Sequence, residues 1–306
     1  MPQSVPKLVA RNVAAVLVFA ACLPCIFAQD AATASAPLTA SEVIARIVKA
    51  TGAELPVNTV DTIKAGDPGT VVTGIATTFT PTMEVLRKAV AAGDNLIVTH
   101  EPTFYNHTDD PSLFVDDPVY QEKLAFIHEH HLVVWRFHDT WHLRHPDGIV
   151  EGFVAQAGWK PYHNPGEEMF FTLPQTTVLA LAKDLQQRFH ARSIRIVGDP
   201  GMKITKVAYR PGASGEAKQV KALERNDVEV LVAGEASEWE TVEYARDAQL
   251  QGRKKALILL GHLTSEESGM DNCAQWLRGL FPGMRIQFIP AAEPYWTPHK
   301  LPRANP

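Results

Sequence analysis

The stretch Asp94-Asn-Leu-Ile-Val-Thr-His100-Glu101-Pro-Thr-Phe-Tyr105 decides how this chain is read. Leu96 to Val98 is an apolar run of strand length. It ends in two adjacent side chains able to hold a metal, His100 and Glu101, and Pro102 then stops any regular ladder. Open α/β sheets collect ligands at the carboxyl ends of their strands. Upstream, Thr70 to Ala76 reads as a strand and Thr80-Pro81 as a helix start, with Pro at the first helical position. Met83, Val85, Leu86, Ala89 and Val90 follow, and Gly93 ends the helix. Strand, helix, strand is a βαβ unit, which predicts a parallel pair and an α/β fold.

The device recurs twice. Leu132 to Phe137 is strand-like and ends in His138-Asp139-Thr-Trp-His142. Ala256 to Gly261 is another such run, ending in His262-Leu-Thr-Ser-Glu266. Three strands that each deliver imidazole and carboxylate at the same end predict one shared metal site. Histidine density agrees, because eight of the twelve His lie between His100 and His145. Mixed imidazole and carboxylate sets suit zinc, manganese, iron or nickel, whereas calcium and magnesium prefer all-oxygen sets. His262 and Glu266, four apart, share a face in either a short loop or the first turn of a helix. His128, His130 and His131 fall in an expected helix and its turn, and a solvated or ligand-supporting role is favoured for them over a ligand role.

Around these motifs the chain is ordinary for a globular protein, with 306 residues, 45% hydrophobic and 21% charged. A formal charge of −5 and a pI near 6.2 give no reason to expect a nucleic acid partner. Residues 1–28 differ: Lys7 and Arg11 precede an apolar run, Val13 to Ala21, too short to span a bilayer, and Ile26-Phe27-Ala28 fits a cleavage site. A signal peptide over 1–28 predicts a secreted or periplasmic protein with no transmembrane span in the mature chain. Lipidation at Cys22 ranks second, because Phe19 is a poor start for a lipobox. Loss of Cys22 and Cys25 leaves Cys273 without a disulfide partner. Residues 29–40 read as a flexible lead-in, 41–165 as an N-terminal α/β lobe and 166–306 as a C-terminal one. Ser41 is expected to cap the first helix, Thr59 to Asp67 to be a loop, and Tyr105 to Pro118 a solvated rim or lid. The helix after the third site strand is expected over Ser265 to Leu280.

Several motifs occur in a fixed order: Thr73-Gly-Ile75, Ile97-Val-Thr-His100-Glu-Pro-Thr-Phe104, Phe137-His138, Val230-Leu-Val-Ala-Gly-Glu235 and Gly261-His262-Leu-Thr-Ser-Glu266. In these the chain resembles the Nif-three-like proteins, often labelled GTP cyclohydrolase I type II homologues, over about residues 41 to 296. The resemblance implies two packed α/β lobes, a dinuclear metal centre in the cleft between them, and often a toroidal hexamer. It carries metal-ligand roles onto His100, Glu101, His142, His262 and Glu266, holding two divalent ions. The family's usual His-His-Pro is here His100-Glu101-Pro102, and its usual His-Thr-Asn-Leu-Asp is His138-Asp-Thr-Trp-His142. One imidazole has become a carboxylate and one carboxylate an imidazole, so the set keeps three of one and two of the other. His138, Asp139, Tyr105 and His107 are the candidates for moving protons or orienting a small-molecule substrate. No Gly-rich phosphate loop of Walker type accompanies them, so GTP is not carried over. The expected activity is hydrolysis of an unknown substrate. The alternative is a non-catalytic metal-binding or partner-binding scaffold of the cell envelope.

Overall fold

The computed structural model describes residues 1–4, 37–296 and 298. Met1–Ala36 and Pro37–Pro306 form separate units, and the fold is that of the second. The expected signal peptide, with Cys22, lies almost wholly outside the described residues. In chain order the strands are β1 (Ile63–Ala65), β2 (Ile75–Thr78), β3 (Leu96–Thr99), β4 (Val133–Arg136), β5 (His163–Asn164), β6 (Glu167–Thr177), β7 (Arg195–Val197), β8 (Lys203–Arg210), β9 (Val230–Ala233), β10 (Ala256–Leu259) and β11 (Ile286–Phe288). The helices are α1 (Ala40–Thr51), α2 (Met83–Ala92), α3 (Pro118–Glu129), α4 (Asp139–Leu143), α5 (Gly148–Ala157), α6 (Val178–Arg188), α7 (Glu216–Glu224), α8 (Glu243–Leu250) and α9 (His262–Leu280).

The first sheet has the order β1-β4-β3-β2-β11, and the second β5-β6-β8-β9-β10-β7. In the first, β4, β3, β2 and β11 run parallel and every residue of β2, β3 and β4 is buried. That burial explains their unbroken apolar runs, since a parallel sheet is covered on both faces. One face packs on α1, α9 and Ile149 of α5, the other on α2 and α3. In the second, β8, β9 and β10 are the parallel centre and β5, β6 and β7 the antiparallel flank. Val150, Phe153 and Val154 of α5 join the core of that sheet, so α5 serves both. It crosses α9 at a glycine pair. A Cβ on Gly152 would stand 2.4 Å from the Ser268 carbonyl, and one on Gly269 2.5 Å from Ile149. Among the described residues no helix is long and apolar enough to cross a membrane.

Several local expectations are corrected. Thr39, not Ser41, caps α1, closing a reciprocal box with Glu42 three residues on. Residues 63–65, expected in a loop, form β1 and pair antiparallel with β4. Of the first expected strand, Thr70 to Ala76, only Ile75 and Ala76 are ladder, and β2 runs on to Thr78; upstream, Asn95 engages the backbone of Thr73 and Val71 with its side chain. Thr82 rather than Thr80 caps α2, so Pro81 lies before the cap. Asp109, expected at a solvated rim, is buried and accepts the amides of Thr103 and Phe104. Helix α9 begins at His262, three residues earlier than expected, with Gly261 at φ 92° making the turn out of the strand.

Candidate metal centre

The carboxyl ends of β3, β4 and β10 converge, two from the first sheet and one from the second. β3 delivers His100 and Glu101. β4 delivers His138 and, through the short α4, His142. The start of α4 has no cap of its own, and Asp61 takes that part from a distance. One oxygen of Asp61 accepts the amides of His138 and Asp139 at 2.8 Å each, and the other accepts the amide and hydroxyl of Thr140. β10 leads into the first turn of α9, where helical spacing puts His262 and Glu266 on one face, with His262 Nε2 3.1 Å from Glu266 Oε2.

Potential ligand atoms of His100, His138 and His142 lie within 4.8 Å of one another, as do those of His100, Glu101 and Glu266. The two groups share His100. Its imidazole is fully buried, its Nδ1 faces the Phe137 carbonyl at 3.4 Å, and its Nε2 has no hydrogen-bond partner, 3.3 Å from Glu266 Oε2. His138 holds Asp139 through Nδ1 at 2.9 Å and faces Glu101 with Nε2 at 3.8 Å. His142 Nδ1 meets Asp147 at 2.9 Å. His262 Nδ1 lies 3.5 Å from Glu235, and its Nε2 3.3 Å from Glu101. Every imidazole is thus anchored on one nitrogen by an oxygen and leaves the other for the shared space, which is how proteins orient histidines on a metal.

The carboxylates dominate the field. Burial pushes the His262 imidazole down, but hydrogen bonds to Glu101, Glu235 and Glu266 outweigh it and hold the pKa up at about 12. Burial pushes Glu101 up, and His262, His100 and Arg136 outweigh that to hold it at about 2. Glu266 is held well below its ordinary value, its burial outweighed by the His100 and His262 imidazoles beside it. His100 is pushed down, by burial first and then by His138. A divalent cation bound here would compete for the place the His262 proton holds. An orphaned buried Nε2, four pre-oriented imidazoles and two site carboxylates without any thiolate fit a divalent transition metal.

All five residues expected as ligands, His100, Glu101, His142, His262 and Glu266, are brought together. His138, expected to move protons, stands inside the same cluster, stacked on His100 at 4.5 Å between ring centroids. Asp139 lies behind His138, where Thr59 and the Val60 amide also bind it. His107 stands with its ring 6.4 Å from that of His138. Tyr105 is 51% exposed, packed edge-on against Phe114 at the pocket beside the cluster. Three contributors escaped the sequence reading. Asp147, within a turn signal, orients His142 while capping α5. Asp61 had no motif around it. Arg136, hidden in a strand run, is fully buried and donates to the His100 and His107 carbonyls and to Glu101.

Two sheets that present histidines and carboxylates from strand ends to one space define an α/β protein with a candidate metal centre. The family model for DUF34/NIF3 (NGG1p interacting factor 3) matches residues 58–294, and the chain belongs to that family. Solved structures share the fold at low identity. Staphylococcus aureus protein SA1388 is 17% identical with a TM-score of 0.67, over 85% of this chain and 99% of its own. The structural-genomics protein ybgI, of unknown function, is 19% identical with a TM-score of 0.67, over 84% of this chain and all of its own. The Bacillus cereus protein related to NIF3 is 13% identical with a TM-score of 0.67, over 86% of this chain and all of its own. No curated protein matches the chain.

Proposed function

We propose that this protein is an exported hydrolase dependent on two divalent metal ions, acting on a small molecule. The observation that carries the reading is the orphaned Nε2 of His100 at the junction of the two ligand groups. His100, His138 and His142 would hold one ion, and Glu101, Glu266 and His262 the other, with His100 placed between. Such ions supply Lewis acidity and a water acidic enough to act near neutral pH. The chain's own residues keep the set in place and serve the substrate. Arg136 fixes Glu101 at 3.1 Å and spans to the loop that carries His107. Asp139 and Asp147 fix the tautomers of His138 and His142. His107, close to His138 and lining the pocket, is placed to give or take a proton at its imidazole. Tyr105 offers an aromatic face at the same pocket. The leader over residues 1–28 carries the proposal of export, and the resemblance that of a homo-oligomer of hexameric form.

Elemental mass spectrometry on untagged protein, with His262→Ala and Glu101→Ala alongside, tests the centre. The expected result is close to two transition-metal ions per chain, lost in both variants. Wild type that stays empty after incubation with zinc, manganese, iron and nickel would overturn it. Metal-loaded protein that turns over no phosphoester, amide or cyclic amidine would leave the scaffold reading in its place.

A further inference from the structure

Beside the cluster lies a pocket of about 520 Å³. Glu101 and His107 form its wall towards the metal centre, and Tyr105 and Met83 give it apolar surface. Lys123 and Thr103 also line it, and nothing in the metal centre uses them.

Lys123 is only 4% exposed. Its ammonium donates to the Thr103 carbonyl at 2.7 Å, which spends one of three donors. The buried carboxylate nearby, Asp109, is tied to Lys64 at 3.5 Å and Arg136 at 3.9 Å instead. The rings of Tyr105 and Phe104, centred 5.3 and 6.0 Å from Nζ, ease the burial of the charge. Burial still draws the pKa down to about 8, which leaves the group charged at neutral pH. Thr103 is 1% exposed and its hydroxyl has no hydrogen-bond partner. The ten-residue helix α2 opens at the same pocket, through Thr82 and Met83, with the positive end of its dipole.

A tether for the loop would account for one donor of Lys123. It would leave the other two, and the Thr103 hydroxyl, without a purpose. The carboxylates at hand are already engaged, Glu101 by Arg136 and His262, and Glu84 of α2 by Lys88 at 2.7 Å. We propose that this pocket is an oxyanion subsite. It takes the phosphate or carboxylate of a small organic substrate on Lys123, the Thr103 hydroxyl and the amino terminus of α2. The remainder of the molecule lies against Tyr105, with its reacting bond towards Glu101 and His107.

The inference deepens the hydrolase reading, so its test requires neither turnover nor metal. Calorimetric titration of the full mature chain, metal-loaded and chelator-treated, compares phenyl phosphate, phenylacetate and benzyl alcohol. In chelated wild type one or both anions bind at least about tenfold more tightly than the alcohol, as a charge-assisted hydrogen bond implies. The preferred anion tells phosphate from carboxylate. Lys123→Met removes about tenfold of anion affinity and leaves the alcohol unchanged, and Thr103→Val removes about threefold. Equal binding of anions and alcohol by chelated wild type overturns the subsite. So does anion binding seen only with metal present, since the ions would then be the anion site. If Lys123→Met fails to fold, Thr103→Val decides, and unchanged anion affinity in it overturns the proposal. Intact anion binding in loaded protein that turns over no phosphoester, amide or cyclic amidine would sink the hydrolase reading alone.

Discussion

Asp147 joins two tasks in one side chain, since Oδ1 accepts the first amides of α5 while Oδ2 holds His142. Asparagine caps helices as well as aspartate does but cannot offer a second carboxylate oxygen. Asp147→Asn therefore keeps its far-ultraviolet circular dichroism and loses about 10–100-fold in affinity for one ion. Competition against a chromophoric chelator measures it, and unchanged affinity would free His142 from that dependence. Lys123 gives a pH signature. Its unfolded pKa is near 10.4, its folded one about 8. Between those values the unfolded chain binds the extra proton, so stability rises with pH across that window. The buried charge costs on the order of 3 kcal/mol below pH 8, and that cost vanishes by about pH 10.5. Urea midpoints of wild type and Lys123→Met should converge from pH 7 to 10.5, whereas parallel profiles would contradict the assignment. The clustered histidines and carboxylates were legible because each stands within about five positions of the end of an apolar run. The residues behind them were not. Asp61 reaches α4 from 77 positions upstream or more, and no local pattern encodes that approach.

At the scale of elements, apolar runs placed β3, β4 and β10 to within two residues at each end, because strands buried on both faces carry few polar positions to confuse the pattern. Edges and termini were harder. β1 is a three-residue edge with an irregular register, too short to show a period. The start of α1 was misplaced by reading Ser41 alone, although Thr39 and Glu42 stand at capping-box spacing. That yields a clean contrast. Thr39→Ala should lower stability by about 1 kcal/mol, while Ser41→Ala stays within about 0.5 kcal/mol, in paired urea titrations. Equal effects would return the cap to Ser41. The crossing of α5 and α9 depends on glycine at the contact. Gly152→Val forces its side chain into the Ser268 carbonyl and the Gly269 backbone, at a cost of about 1–3 kcal/mol or more. A melting temperature equal to wild type would show that the helices can part without penalty.

For the whole molecule, the centre is a cross-brace, because its residues come from strand ends of both sheets. Metal bound only to the folded state adds about 2.7 kcal/mol at a hundredfold excess over Kd, worth several degrees in a chain of this size. Differential scanning calorimetry should show that rise on metal addition, its loss with chelator, and no response in His262→Ala. The last strand of the first sheet carries a separate consequence. β11 pairs with β2 although about two hundred residues of chain separate them. At a synthesis rate of about 5–20 residues per second, the outer edge of β2 waits roughly 10 to 40 s on the ribosome for its neighbour. During that interval it is a bare hydrogen-bonding edge of the kind that recruits other chains. A nascent chain of this protein therefore carries that edge unpaired for most of its translation, and a copy truncated before Ile286 would keep it unpaired permanently.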